Sequence, residues 1–448
     1  IGKAIENLYK ENIYDFYEVF AKHFSIGGNF EKGAKYTKHM AKKAEKAVSL
    51  NDAIAYSQDR ISCLDKLPQT ENVQNEIIDT RTSLGLYQLQ MTNCIKAKNA
   101  IEPVIDLAIA IDYKRRLSQI YTIIGAHNMW IEEDIPVAIA NLNKAIKISE
   151  EVGDFVSLVL ASYHLGGALA YNSDFEKSDF YFKKAIDINL AANNLWGVSS
   201  IKGIQCMSSY IISGRIDLCH KESIEAISIA DESGDIYSKA QAYTGYGISL
   251  LGKGLFKEGK KYLLKGIDLS KKINLLMFEM AGHLAIAETF YLLKEYQKSI
   301  EHYVRGVTIL KNESYMPSVL RCSEIDLIKS RVMNNNMDID FDSICQVANK
   351  IKLKIGMGKA FHSICEILLI IDNHIPEAEK WITTAIETNK KYSLRYSLAH
   401  DYALYANIFI RKGDQFRAKE KLNKAIVIFK ECGADGWVEK YEKELAAL

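Results

Sequence analysis

The stretch that decides the fold is Gly153–Asn193, which reads GDFVSLVLASYHLGGALAYNSDFEKSDFYFKKAIDINLAAN. Apolar residues recur at intervals of three and four through Phe155–Tyr171 and again through Phe175–Leu190, which predicts two amphipathic helices. The polar run Asn172–Asp174 lies between them, and its short side chains favour a turn and can cap the next helix. The stretch therefore predicts one helical hairpin.

Small residues mark where the two helices of this hairpin must approach each other. The second helix carries Ser178, Phe182 and Ala185 on one face, and the first helix carries Gly166. The central small residue recurs about every 40 residues, within the range of about 34 to 47 that helical-hairpin solenoids show. Copies of the hairpin therefore fill the chain, which predicts an all-α, right-handed superhelical solenoid. The central residues of its copies are Val104, Ala145, Ala185, Ala226, Gly266, Gly306, Ala348, Ala385 and Ala425.

Three places depart from this pattern. Met207 and Glu366 stand where most other first helices carry Gly or Ala, so we expect those two helix pairs to be looser or shifted. Met316–Lys352 is the least regular copy, because polar residues from Asn334 to Asp342 lengthen the turn between its helices. We interpret that copy as a protrusion or a bend in the array.

The same pattern divides the chain into three regions. Residues 1–70 form less regular helical hairpins, which include a predicted helix over Ile13–Phe24. Residues 71–432 hold the regular repeats, and residues 433–448 form a short charged helix with aromatic side chains on one face. We expect this last helix to cap the array, since the ends of a solenoid need a polar outer face.

Composition narrows the classes of partner and the compartment. The chain is 48% apolar and 25% charged, and its net charge of +1 favours neither a nucleic acid nor an anionic membrane. No apolar run approaches the roughly 18 residues that a transmembrane helix needs. The eight cysteines contain no CxxC pair, which predicts reduced thiols and a cytoplasmic protein.

Local motifs give no support for catalysis. Gly247–Lys253 approaches a Walker A loop, but Gly254 replaces the Ser or Thr and no strand is predicted before it, so we interpret it as a helix end. Cys219-His220 would point to different faces of a helix, which argues against zinc. We expect the paired carboxylates Glu132-Glu133 to lie at a helix end or on a solvated face. The sequence predicts no catalytic site, cofactor or metal.

The small–large–small signature resembles the tetratricopeptide repeat rather than HEAT or armadillo repeats. Tyr17–Tyr36, Leu64–Pro68 and Glu431–Leu445 further resemble the C-terminal repeat region of bacterial signalling ATPases that are fused to adenylate/guanylate cyclase or Ser/Thr kinase domains. The resemblance implies a non-catalytic scaffold or sensor, the regulatory C-terminal part of a larger signalling protein. Alternatives are a free-standing adaptor similar to kinesin light chains, a peptide-pheromone receptor, or an enzyme whose site is assembled inside the solenoid.

The resemblance also implies a binding surface. In tetratricopeptide arrays the first helices line an inner groove, which would receive a protein or peptide partner, and self-association is possible. For each aromatic residue, packing between helices is the alternative. The candidate groove residues are His127, Trp130, Tyr163, Tyr171, Glu288, Tyr291, His400, Asn407 and Arg411.

Overall fold

The computed structural model describes residues 16–47, 49–371 and 374–448, which contain 22 helices packed as successive pairs and no strand. The all-α solenoid is therefore confirmed for these residues, and the handedness of its superhelix stays a prediction. Two helices continue through a turn of another type: α5 through the 3₁₀ turn Glu102–Val104 and α10 through the π turn Cys206–Tyr210. The helices are α1 Tyr17–Ile26, α2 Phe30–Lys46, α3 Leu50–Leu64, α4 Glu71–Gln90, α5 Cys94–Ile101 with Ile105–Ala110, α6 Lys114–His127, α7 Ile135–Val152, α8 Phe155–Tyr171, α9 Phe175–Ala191, α10 Leu195–Gln205 with Ile211–Ser213, α11 Ile216–Ser233, α12 Ile236–Lys253, α13 Phe256–Lys272, α14 Leu276–Leu292, α15 Tyr296–Asn312, α16 Pro317–Met333, α17 Phe341–Asn349, α18 Lys354–Ile371, α19 Ile375–Lys391, α20 Arg395–Arg411, α21 Gln415–Cys432 and α22 Asp435–Ala446.

The chain divides into two compact units. The first comprises the described residues up to His127 together with Ala140–Ala161, and the second comprises Asn128–Ile139 and Ser162–Leu448. At the start of the first unit, α1 packs on α2 through aromatic rings that lie within about 6 Å of one another, namely Phe20, Phe24 and Tyr36. Of the predicted helix over Ile13–Phe24, residues 13–15 lie outside the described residues.

In the second unit the paired helices approach at the predicted small residues. The Ser178 hydroxyl on α9 donates to the carbonyl oxygen of Gly166 on α8 at 2.8 Å, and Ser299 on α15 donates to Ala287 on α14 at 2.8 Å. A Cβ added to Gly247 on α12 would lie 2.6 Å from Leu263 Cγ on α13, closer than any side chain tolerates. All nine central residues, Val104 to Ala425, are buried, so the predicted repeat register is confirmed.

Two of the predicted departures from the pattern are also found, at Met207 and around α17, and the looser pair expected at Glu366 stays a prediction. The π turn in α10 shifts the helix by one residue, so that Cys206 rather than Met207 faces Cys219 on α11. The Cys206 thiol donates to the carbonyl oxygen of Cys219 at 3.3 Å, and the Cys219 thiol donates to that of Cys206 at 3.7 Å. In the irregular copy, α17 has only 9 residues and follows the long link from Asn334 to Asp340. Both irregularities arise where the small-residue spacing fails.

Contacts between distant repeats hold the second unit together. Glu133 is only 6% exposed, because its carboxylate accepts hydrogen bonds from the Ser318 backbone N–H at 2.7 Å and the Ser318 hydroxyl at 2.6 Å. These residues lie 185 positions apart, which is between four and five repeats. Lys354 Nζ donates to Asn172 Oδ1 at 2.8 Å across 182 positions. Glu133 therefore lies at a helix end, one of the two placements expected, and it is buried there because its carboxylate caps α16.

The last helix is fixed in the same way. Lys253, at the end of α12, donates to the carbonyl oxygen of Gly433 at 2.7 Å and forms ion pairs with Asp217 and Asp435. Gly254 has a φ of +81°, and a Cβ there would lie 3.0 Å from backbone atoms of Gly436 and Trp437. The α12 terminus can approach α22 this closely only because residue 254 is glycine.

We predict that Ala185→Phe destabilises the hairpin by about 1–3 kcal/mol, because Ala185 is fully buried between paired helices and a larger side chain overpacks the contact. Lys183→Phe is the control, since Lys183 is exposed and forms only a surface ion pair with Asp187. Urea unfolding followed by circular dichroism measures both. Equal losses at the two positions would contradict the register.

A second prediction concerns the cap of α16. Glu133→Ala leaves the Ser318 amide buried without its acceptor and should lower the free energy of unfolding by about 1–3 kcal/mol. Glu176→Ala removes an exposed carboxylate from the first turn of α9 and should change it by about 0.5 kcal/mol or less. Urea titrations of both variants give the comparison, and an equal or larger effect at Glu176 would show that the cap does not stabilise the fold.

Candidate functional site

The second unit contains a cavity of about 490 Å³. First helices of six successive repeats, α10, α12, α14, α16, α18 and α20, supply nearly all of its lining, and α22 forms the remaining wall. Much of the wall is aliphatic, as at Ile211, Leu251 and Leu404, and the rings of Tyr396 and Trp437 add aromatic surface. The volume lies within the range of about 300–1000 Å³ that is usual for ligand sites.

Two ion pairs join α16 to α18 at the cavity. Lys329 Nζ lies 2.9 Å from Glu366 Oε2, and Lys359 Nζ lies 2.9 Å from Asp326 Oδ2. The Ser363 hydroxyl donates to the other oxygen of Asp326 at 2.7 Å. Asp326 and Lys329 are buried, whereas Glu366 and Lys359 are accessible from the cavity. The ion pairs therefore place charges of both signs at the wall.

Mutual attraction keeps these groups ionised in spite of burial. Burial alone would raise the pKa of Asp326, but the ammonium groups of Lys359 and Lys329 outweigh it and lower that pKa. Burial would lower the pKa of Lys329, but Glu366 and Glu288 raise it. The pKa of Glu366 is lowered in turn, because the Lys329 charge outweighs burial. All four partners of the two ion pairs are thus charged at neutral pH.

A histidine lies between two carboxylates beside these ion pairs. His362 Nδ1 is 2.9 Å from Asp401 Oδ1 on α20, and its Nε2 is 3.7 Å from Glu366 Oε2. Burial would lower the pKa of His362, but the hydrogen bond to Asp401 and the charge of Glu366 raise it above its ordinary value. Asn389 Nδ2 donates to the second oxygen of Asp401 at 2.6 Å. Burial raises the pKa of Asp401 as well, although His362 and Asn389 oppose this shift. Since Nε2 of His362 faces a carboxylate rather than a hydroxyl or thiol, this geometry favours a protonated imidazole and offers no nucleophile to activate.

Four of the sequence-predicted residues line the cavity, namely Glu288, Tyr291, His400 and Asn407. Glu288 accepts a hydrogen bond from the Tyr303 hydroxyl at 2.7 Å, and Lys329 Nζ lies 4.3 Å from the ring centroid of Tyr291. The ring of His400 meets that of Trp437 edge-on at 4.4 Å. Burial lowers the pKa of His400 well below its ordinary value, so this side chain is a neutral aromatic surface.

The other predicted residues lie elsewhere. Trp130 and Tyr171 are buried and pack edge to face at 5.4 Å, and Trp130 also stacks on Tyr315. Tyr163 packs on Phe182 within its own hairpin. For these three aromatics the structure shows packing between helices.

The two remaining candidates are polar. Arg411 Nε donates to Asn407 Oδ1 at 3.0 Å, and its Nη1 donates to the carbonyl oxygen of Leu369. Arg411 therefore bonds directly to a cavity residue. His127 is buried in the first unit.

Sequence reasoning missed the charged residues of the cavity. Lys359, His362 and Glu366 lie three and four positions apart on α18, which places them on one face. Asp326 and Lys329 repeat that spacing on α16. Glu366 also stands at the position where most other first helices carry Gly or Ala. These polar residues, which recur at helical spacing on first helices, were the signal in the sequence from which the charged side of the cavity could have been predicted.

Among the described residues, no group of three or more His, Cys, Asp and Glu side chains is arranged to hold a metal ion. No helix in the part of the chain that the structure describes is long and apolar enough to cross a membrane.

The fold and the cavity define the chain as an array of tetratricopeptide-like hairpins. No family model matches the sequence, and no curated protein matches it either. Among solved structures it is similar to aspartyl phosphate phosphatase F from Bacillus subtilis, with 13% identity, a TM-score of 0.42, and coverage of 87% of this chain and 91% of that one. It is also similar to yeast Tom70, with 11% identity, a TM-score of 0.36, and coverage of 92% and 96%.

A third similar structure is a signal transduction ATPase with numerous domains and a tetratricopeptide repeat sensor, from Pyrococcus horikoshii. It shares 16% identity at a TM-score of 0.32, and the match covers 88% of this chain and 55% of that one. At such identities and TM-scores, none of these likenesses carries an argument about function. The function must be inferred from the chain's own residues.

The His362–Asp401 pair gives a prediction about pH. Because the folded chain raises the pKa of His362 above about 6.5, the stability from this pair is present below that pH and is lost as pH rises through the raised value. Asp401→Asn should therefore cost about 3 kcal/mol at pH 6, where it leaves a buried imidazolium without its partner. The cost should be distinctly smaller at pH 9.

Urea unfolding of the parent chain and the variant at both pH values measures this difference. Asp342→Asn, at an exposed position in the first turn of α17, provides a control whose loss of stability should be the same at both pH values. An equal loss for Asp401→Asn at both pH values would show that the two groups do not form an ion pair.

Proposed function

We propose that this chain is a non-catalytic binding scaffold or sensor whose cavity in the second unit receives a short peptide or an exposed segment of a protein. The observation that carries this proposal is the cavity of about 490 Å³ lined by six first helices and α22. A volume in this range fits a small ligand or a short chain segment rather than a folded domain.

The wall has the composition that recognition sites favour. Tyr291, Tyr396 and Trp437 supply rigid aromatic surface, and aromatic residues recur among the side chains that dominate binding energy. Asn407 offers an amide, which can donate to and accept from a peptide backbone. A largely apolar wall with a few polar groups at fixed positions supports selective binding of a peptide whose side chains match those positions.

We further propose that binding in the cavity regulates an attached or associated signalling protein in the cytoplasm. The resemblance of Tyr17–Tyr36, Leu64–Pro68 and Glu431–Leu445 to repeat regions of signalling ATPases supports this role. A free-standing adaptor or peptide sensor would use the same cavity. The sequence encoded upstream of this chain distinguishes the two, because only the first requires a cyclase, kinase or ATPase domain there.

An enzyme inside the solenoid has less support. His362, the histidine of this cavity with a raised pKa, directs both ring nitrogens toward carboxylates. Such a group is held charged and is poorly placed to remove a proton from a hydroxyl or thiol. Turnover of nucleotides by the purified chain, lost on Asp401→Asn, would overturn the non-catalytic assignment.

The proposal predicts that filling the cavity abolishes binding. Asn407→Trp places an indole in the cavity, whereas Asn423→Trp makes the same change at an exposed position of α21. Short synthetic peptides are retained on the immobilised chain, identified by mass spectrometry and then measured by calorimetry. We expect Asn407→Trp to weaken binding by at least about tenfold, or 1.4 kcal/mol, and Asn423→Trp to leave it unchanged. Equal affinity for both variants would place the binding elsewhere.

A further inference from the structure

The charges of the cavity are not balanced. Three carboxylates each have a cationic partner at 2.9 Å: Asp326 has Lys359, Glu366 has Lys329 and Asp401 has His362. Glu288 is the exception. Its carboxylate accepts a hydrogen bond from the neutral Tyr303 hydroxyl at 2.7 Å, and no ion pair to it is found among the described residues.

The other charged groups of the wall do not supply the missing cation. Lys329 and Lys359 are close enough to Glu288 for its charge to raise their pKa values, but both ammonium groups are held by other carboxylates. Lys440 and Glu444 lie four positions apart on α22, but no ion pair between them is found among the described residues, and the Lys440 ammonium lies 5.0 Å from the ring centroids of Trp437 and Tyr441. The lining itself holds four carboxylates and four cations, and Asp326, which pairs with Lys359 from behind the lining, brings the carboxylates to five.

An unbalanced carboxylate at a largely apolar wall attracts a cation more strongly than it would in water, because the local dielectric constant is lower. We infer that the ligand of this cavity presents an ammonium or guanidinium group that pairs with Glu288. Tyr291 lies three positions further along α14, on the same face, and its ring can contact the chain that carries the cation. An anionic group would have to pair with Lys440, which has no ion pair among the described residues, or displace Asp326 or Glu366 from its lysine.

This inference rests on the proposed function, because that proposal makes the ligand a short peptide or a segment of a protein. In a short peptide the cation would be a Lys or Arg side chain or the free amino terminus. A simple organic amine would present the same chemistry. The two sources are separated by testing peptides and amines in parallel on the full chain.

In the peptide arm, the free and amino-terminally acetylated forms of a short-peptide library are selected on the parent chain, Glu288→Gln and Glu444→Gln. Glutamine keeps an acceptor for the Tyr303 hydroxyl, so the fold is preserved, and circular dichroism checks this. Glu444→Gln removes the same charge from the part of the wall that α22 supplies. We expect retained peptides to be enriched in a cation. Their affinity should fall at least about tenfold on Glu288→Gln and about twofold or less on Glu444→Gln.

In the amine arm, 4-phenylbutylamine, 4-phenylbutanol and 4-phenylbutyrate are compared by thermal shift on the same three proteins. The amine alone should raise the melting temperature, and Glu288→Gln should remove the shift. Retained peptides without a cation, or equal losses at Glu288 and Glu444, would overturn the inference and leave the proposed function standing. Binding of the amine without any retained peptide would overturn the proposed function and leave the inference standing. No binding in either arm would overturn both.

Discussion

The close approach of paired helices at small side chains is the constraint on which the rest of the structure depends. At Ser178 and Gly166 a hydroxyl on one helix reaches the backbone carbonyl of its partner, which requires the two axes to lie unusually near. Gly247 meets Leu263 with no room for a Cβ. Each such contact fixes one hairpin, and the repetition of the contact sets the period of the array. Where Met207 interrupts the small-residue spacing, a π turn restores the contact between the two helices.

That constraint explains how much of the fold the sequence could predict. The small–large–small pattern lies within a single hairpin, so it gives the helix pairs, their register and the irregular copy around α17 from local spacing alone. The contacts of Glu133 with Ser318 and of Lys253 with Gly433 bridge 185 and 180 positions. They depend on small rotations that accumulate over four to five hairpins, which no local pattern records. For this reason the sequence could place Glu133 at a helix end but could not show that it is buried against Ser318.

The candidate site was predictable to a smaller extent. Transferring the register of tetratricopeptide arrays places Glu288, Tyr291, His400 and Asn407 on first helices, and these four line the cavity. The same transfer selected Trp130, which packs on Tyr315 from a repeat that is distant in sequence. From sequence alone, an aromatic residue on a first helix is equally compatible with a position in the groove and with a position in the interface between helices. Only the three-dimensional arrangement shows which surface it occupies.

The charged residues of the cavity contribute little to holding the fold. Buried ion pairs such as those of Asp326 and Lys329 are weak contributors to stability, since apolar residues of similar volume often serve as well or better. The hairpin contacts already fix α16, α18 and α20 without them. We propose that they serve instead to present fixed charges at a largely apolar wall, where the low local dielectric constant strengthens the interaction of each charge with a ligand. On this proposal Glu288, which has no ion pair among the described residues, is the group that receives the cation of the ligand.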